Sequence, residues 1–346
     1  MTEKTDILSL TLKEVEELIL SLGEPKFRAK QVYGWMTKGM WGAEMRNIPK
    51  SLIEKLDSVC EFRLPKVKLK LESKIDGTVK YLFELIDGEC IESVFMRYEH
   101  GNTICISSQV GCRMGCKFCA STILGRVRNL TPSEMLGQII AAEKDMGERI
   151  SNIVMMGIGE PLDNYDNTVT FLRLVNSEES LNIGMRHISL STCGLVSGIK
   201  KLQEEELPIT LSISLHAYDN EVRSSIMPIN NKYSIEELLT ACKEYYDATG
   251  RRISFEYTLI SGKNDTEEGA IKLASVLKKY MQSNIHVNLI PLNEVKETRL
   301  ETSKNVNAFK NKLISLGINA TVRRRLGSDI NASCGQLRRQ TQKESV

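Results

Sequence analysis

From residue 103 onward the sequence alternates short β-branched runs with amphipathic stretches of helical period. Candidate strands are Thr103–Ser107, Asn152–Met156, His187–Leu190, Thr210–Leu215, Ile253–Leu259, His286–Pro291 and Ala320–Arg323. Helical stretches lie between them, around 132–146, 165–176, 196–205, 234–249, 266–281 and 305–316. Thr131-Pro132 with Glu134, and Ser234 with Glu237, mark helix starts, because each hydroxyl can accept an amide of the first turn that has no helical partner. Repeated strand–helix units bury both faces of a sheet when the strands run parallel and the helices pack outside. The expected class is therefore α/β, an open or closed β/α barrel with ligands at the carboxyl ends of the strands.

The first 100 residues follow other periods. Thr11 with Glu14 makes a capping box, and Leu12, Val15, Leu18, Ile19 and Leu22 form one apolar face ending at Gly23. Pro25 and Pro49 open two further helices. Between residues 66 and 85 the period changes to two, with a turn at Asp76-Gly77. The predicted organisation is a helical accessory domain over 1–60, a β-hairpin extension over 61–100, and the barrel with a C-terminal loop over 101–346.

Composition narrows the class of function. No run of about 18 apolar residues is present, so no membrane helix is expected. The amino-terminal MTEKTDILSL lacks an apolar signal core, which points to the cytoplasm. The chain of 346 residues carries nine cysteines, an odd number that argues against a disulfide framework. Cys60 and Cys242 are expected to be plain packing residues. Net charge is only +2, so any nucleic-acid surface must be local.

The strongest chemical signal is Gly111-Cys112-Arg113-Met114-Gly115-Cys116-Lys117-Phe118-Cys119. The glycines let the chain curl, so Cys112, Cys116 and Cys119 can face one iron–sulfur cluster. Three thiolates leave one iron of a four-iron cluster open to a chelating substrate. A structural zinc site would want a fourth ligand, and none of the four histidines lies at suitable spacing.

The Cys-x3-Cys-x2-Cys loop resembles that of the radical S-adenosylmethionine (SAM) superfamily. Its context is more specific. Cys105-Ile106-Ser107-Ser108-Gln109, GCKFCAS, RNLTP, MGIGEPL, LSTCGL, SLHA, MPIN and RRRLGSDINASCGQLR, in that order, resemble the RlmN family over nearly the whole chain. The resemblance implies a partial (β/α)6 radical SAM barrel with a small helical N-terminal domain and a β-hairpin extension. It implies a [4Fe-4S] cluster, SAM, and methylation of carbon 2 of an adenine in 23S rRNA and in tRNA. A one-electron reductant such as flavodoxin or ferredoxin is implied as well.

Site residues follow from the same resemblance. Gly159, Glu160, Ser191, Ser214, Leu215, His216 and Asn293 match SAM contacts. Each lies at or just past a predicted strand end. Taken alone, His216 would be an ordinary core histidine and Asn293 a turn former. Cys334 matches the S-methylcysteine intermediate, and Cys105 the thiol that forms a transient disulfide with it. Glu92 matches the proton acceptor; on its alternating strand it could equally face solvent. Arg126 and Arg128, with Arg323–Arg325 and Arg338–Arg339, are candidate phosphate contacts, and Lys26, Arg28, Lys30 and Lys38 make the helical domain a candidate RNA-docking unit. The alternatives are a Cfr-type enzyme acting on carbon 8 and a zinc-stabilised RNA-binding protein without catalysis.

Overall fold

The computed structural model describes residues 4–281, 285–292 and 300–332. Three helices, α1 (Leu12–Ser21), α2 (Phe27–Met36) and α3 (Lys50–Val59), form an N-terminal unit. The Thr11–Glu14 capping box opens α1 as its sequence predicts. The short parallel pair β1 (Thr5–Asp6) and β2 (Cys60–Glu61) ties the ends of this unit together. It docks on α4 (Pro132–Met146), where the Ser133 amide donates to Ser9 Oγ at 3.0 Å and the Ser133 hydroxyl donates to Asp6.

One sheet then carries ten strands. Three antiparallel strands, β3 (Lys66–Glu72), β4 (Val79–Glu84) and β5 (Cys90–Met96), lead into β6 (Thr103–Cys105). The predicted hairpin is thus continuous with the main sheet. From β6 the pairing is parallel through β9 (Asn152–Met155), β10 (Ile188–Thr192), β11 (Thr210–Ser214), β12 (Ile253–Leu259), β13 (His286–Pro291) and β14 (Asn319–Val322). Among the described residues the sheet does not close on itself; it is an open, partial barrel.

Helices α4, α5 (Tyr165–Asn176), α6 (Val196–Glu204), α8 (Ile235–Thr249), α9 (Glu267–Tyr280) and α10 (Val306–Ser315) fall where the sequence places them. The seven-residue α7 (Asn220–Ile226), capped by Asp219, was not anticipated because it is too short to show a period. Cys60 and Cys242 are buried, as expected of packing residues.

The strand predicted through Ser107 ends at Cys105. Ser107 instead donates its hydroxyl to the Glu92 carbonyl and accepts from the Ile158 amide, turning the chain inward. A second short strand, β7 (Gln109–Gly111), then pairs with β8 (Arg126–Asn129). This ribbon brackets the cysteine loop.

Candidate active site

Gly111 has a φ of +76°, and a Cβ there would lie 1.9 Å from the Gly125 carbonyl oxygen. Only glycine lets the two strands of the ribbon close at this point. Within the loop, the Cys119 amide donates to the Cys116 carbonyl and the Thr122 hydroxyl to the Cys119 carbonyl. Asp163 braces the loop from outside: it accepts from Arg113, from Arg126 at 2.9 Å and from Gln109 at 2.9 Å. Arg128 is committed to Glu134 and Asp87. Arg126 and Arg128 each therefore hold internal ion pairs while their side chains stay partly exposed.

The loop forms one wall of a cavity of about 210 Å³ at the carboxyl ends of the strands. Cys112, Cys116 and Cys119 face Gly159, Glu160, Ser191, Ser214 and His216 across it. Burial pushes the Cys112 thiol up to about 12 and raises Cys116, whose thiolate is further opposed by Cys119 and Cys112. Three crowded thiols, two of them on buried residues, suit a multi-iron cluster, whose positive metal ions stabilise thiolates together. Among the described residues, no three Cys, His, Asp or Glu side chains converge on a single ion position. A larger cavity of about 450 Å³ opens at the opposite strand ends, away from the cysteines, among Arg186, His187, Arg252 and His286.

Gly159 has a φ of +111°, and a Cβ would lie 2.7 Å from the Gln109 amide nitrogen. The Gly159→Ala variant should lose roughly 1–3 kcal/mol of stability to backbone strain alone. Its SAM affinity should fall roughly tenfold, a difference of about 1.4 kcal/mol. Denaturant melts and equilibrium dialysis with SAM check both effects.

Glu160 is buried, and its carboxylate accepts the Leu162 amide at 3.1 Å and the Cys193 amide at 2.7 Å. Burial raises its pKa, and these amides act against the rise. The carboxylate is thereby fixed at the cavity wall. Ser191 and Ser214 line the cavity from adjacent strands. The Leu215 side chain points into the core, so only its backbone is offered to a ligand.

His216 adopts a left-handed φ of +54°, and its Nδ1 accepts the Thr258 amide at 2.9 Å. Burial and the nearby Arg223 bring its pKa down to about 3, so the ring is neutral at pH 7. With Nδ1 accepting, the proton sits on Nε2. Asn293 and Cys334 lie outside the described residues.

Sequence reasoning missed Arg223. It is fully buried and donates to the carbonyls of Cys193 (2.7 Å), Leu215 (3.2 Å) and Ser214 (3.2 Å) and to Asn230 Oδ1 (3.2 Å). One guanidinium thus fixes the loops after β10 and β11 and the MPIN segment. Its place between SLHA and MPIN was the available signal.

Beside this cavity, Glu92 and Val94 face the barrel interior, whereas Ser93 faces α4 and bonds Gln138. Val94 pairs with Cys105, and the two pack with Met96 and Ala332. Glu92 is buried and forms a 3.0 Å ion pair with buried Lys80. The solvent-facing alternative is excluded, and burial is met by a counter-charge. Met156 belongs to this cluster and also lines the cysteine cavity, joining the two. Among the described residues no disulfide is present, so the expected Cys105–Cys334 disulfide is not borne out there; Cys105 is buried in an apolar cluster.

The parallel sheet, the cysteine loop and the cavity at the strand ends have the organisation of a radical SAM enzyme. Residues 106–274 match the radical SAM superfamily model. Residues 5–62 match the ribosomal RNA large subunit methyltransferase N-terminal domain. The chain is 54% identical over 338 residues to the probable dual-specificity RNA methyltransferase RlmN of Clostridium novyi (strain NT), covering 96% of this chain and 98% of the relative. It is 55% identical over 337 residues to the protein of the same description from Clostridium botulinum (strain Eklund 17B / Type B), covering 96% of each. The crystal structure of a radical SAM methyltransferase from Sphaerobacter thermophilus is 40% identical, with a TM-score of 0.91, covering 96% of this chain and 98% of that one. The chain belongs to the RlmN family of radical SAM RNA methyltransferases.

Proposed function

We propose that this enzyme methylates carbon 2 of an adenine in 23S rRNA and in tRNA by way of a methyl group carried on Cys334. The observation that carries this reading is the packing of Ala332 against Cys105 and Val94, on the wall that holds Glu92 and adjoins the cysteine cavity. Ala332 lies two residues before Cys334 in the sequence.

When bound, a [4Fe-4S] cluster and SAM supply a 5′-deoxyadenosyl radical on one-electron reduction by a flavodoxin- or ferredoxin-type donor. Carbon 2 of adenine is electron-poor, so radical addition suits it where polar methyl transfer does not. Cys112, Cys116 and Cys119 would hold the cluster. Glu160, Ser191, Ser214 and neutral His216, with the backbone of Gly159 and Leu215, would orient SAM, and Asn293 is assigned to the same group. Glu92 would take the proton from carbon 2, and Cys105 would supply the thiol that frees the product. The target adenine must leave its stack to reach these groups.

The helical unit, here residues 1–60, is proposed to dock RNA. We place the enzyme in the cytoplasm with its RNA substrates; no described helix is long and apolar enough to cross a membrane. Incubation of both RNAs with reductant and labelled SAM, then nucleoside mass spectrometry, tests the reading. The expected product is 2-methyladenosine from each RNA, and 8-methyladenosine would refute the regiochemistry.

A further inference from the structure

The turn between β3 and β4 grips a distant part of the chain. Asp329 accepts the Ser73 hydroxyl at 2.6 Å and the Lys74 amide at 2.9 Å. Asp76 accepts the Gly327 amide at 2.9 Å. Lys80, buried on β4, donates to the Asn331 carbonyl at 3.1 Å while it pairs with Glu92. The gripped segment is itself a compact turn. The Ile330 and Ala332 amides both donate to the Gly327 carbonyl, and both Gly327 and Asn331 are left-handed. A Cβ on Gly327 would lie 2.5 Å from the Ala332 Cβ, so glycine is needed there. On the other side, Leu326, Ile330 and Ala332 pack on Val94, Met96 and Cys105.

We propose that the β3–β4 hairpin is a clamp on residues 327–332, with Asp76, Lys80 and Asp329 as positioning residues that aim the following chain at the barrel. Two features separate this from ordinary loop packing. The contacts are polar and specific at three successive points, Gly327, Asp329 and Asn331. One of them comes from a buried ammonium that also holds Glu92, so the same side chain holds the carboxylate and the Gly327–Ala332 turn. Burying an ammonium is costly unless both its charge and its protons are matched, and here a carboxylate and a carbonyl do so. The role assigned to the clamp rests on Cys334 being the methyl carrier.

The test uses full-length enzyme with its cluster and three variants. Asp76→Ala/Asp329→Ala removes the surface grips without emptying the core, Lys80→Met removes the buried one, and Cys334→Ala serves as reference. Methyl groups transferred per 5′-deoxyadenosine formed should fall roughly tenfold in the double variant, the scale of a lost charge-assisted hydrogen bond. Iron content and total 5′-deoxyadenosine should hold, and Cys334 should react faster with iodoacetamide, followed by peptide mass spectrometry. Lys80→Arg should recover part of what Lys80→Met loses. A wild-type transfer ratio and alkylation rate in the double variant would overturn the clamp, whatever Lys80→Met does to folding. RNA methylation by Cys334→Ala would instead overturn the carrier reading, so the two failures are distinct.

Discussion

Cys334→Ala is expected to reduce RNA methylation to background while iron content and reductive cleavage of SAM persist. The thiols proposed to hold the cluster sit on the loop bracketed by β7 and β8, and the groups proposed to face SAM sit at the ends of β9, β10 and β11. Among the described residues, the apolar cluster that holds Ala332 on β5 and β6 contains none of those side chains. Removing the Cys334 sulfur should therefore leave the cavity intact and delete the methyl carrier alone. The expected signature is uncoupling: 5′-deoxyadenosine appears at a reduced rate without methyladenosine. Liquid chromatography of both products from one reaction checks it. Residual methylation would mean that the methyl group reaches RNA directly.

Arg223→Ala should be the most damaging single substitution outside the thiols. The guanidinium is fully buried and satisfies five acceptors on three separate segments. Its deletion leaves those carbonyls desolvated and without a donor, and opens a void the size of a large side chain. Loss of one member of such a buried network costs about 3–5 kcal/mol. Arg223→Lys should recover only part of this, because one ammonium cannot span the same spread of carbonyls. Urea denaturation of the variants checks the cost. Because the Cys193 and Ser214 carbonyls border the cavity, the surviving folded fraction should also bind SAM weakly.

Much of this molecule was legible from sequence for definite reasons. Strand–helix alternation gave the parallel sheet because its two periods are unambiguous over long segments. Capping boxes at Thr11, Thr131 and Ser234 formed because their pairing is local. The cysteine loop was legible because three cysteines lie within eight residues. What was missed is non-local. Arg223 looks like one more loop charge until its carbonyl partners converge on it. The ion pairs of Arg126 with Asp163 and of Arg128 with Glu134 were not read from the sequence either. Lys80 reads as the polar half of an alternating strand, yet it turns inward to Glu92, twelve residues on.

The central claim is that Cys112, Cys116 and Cys119 hold a cluster with one iron left for SAM. Anaerobic purification followed by iron analysis and reduction in the presence of SAM tests it most directly. The account predicts about four irons per chain and steady formation of 5′-deoxyadenosine, both lost in Cys116→Ala. A protein that takes up no iron on reconstitution and forms no 5′-deoxyadenosine would contradict it.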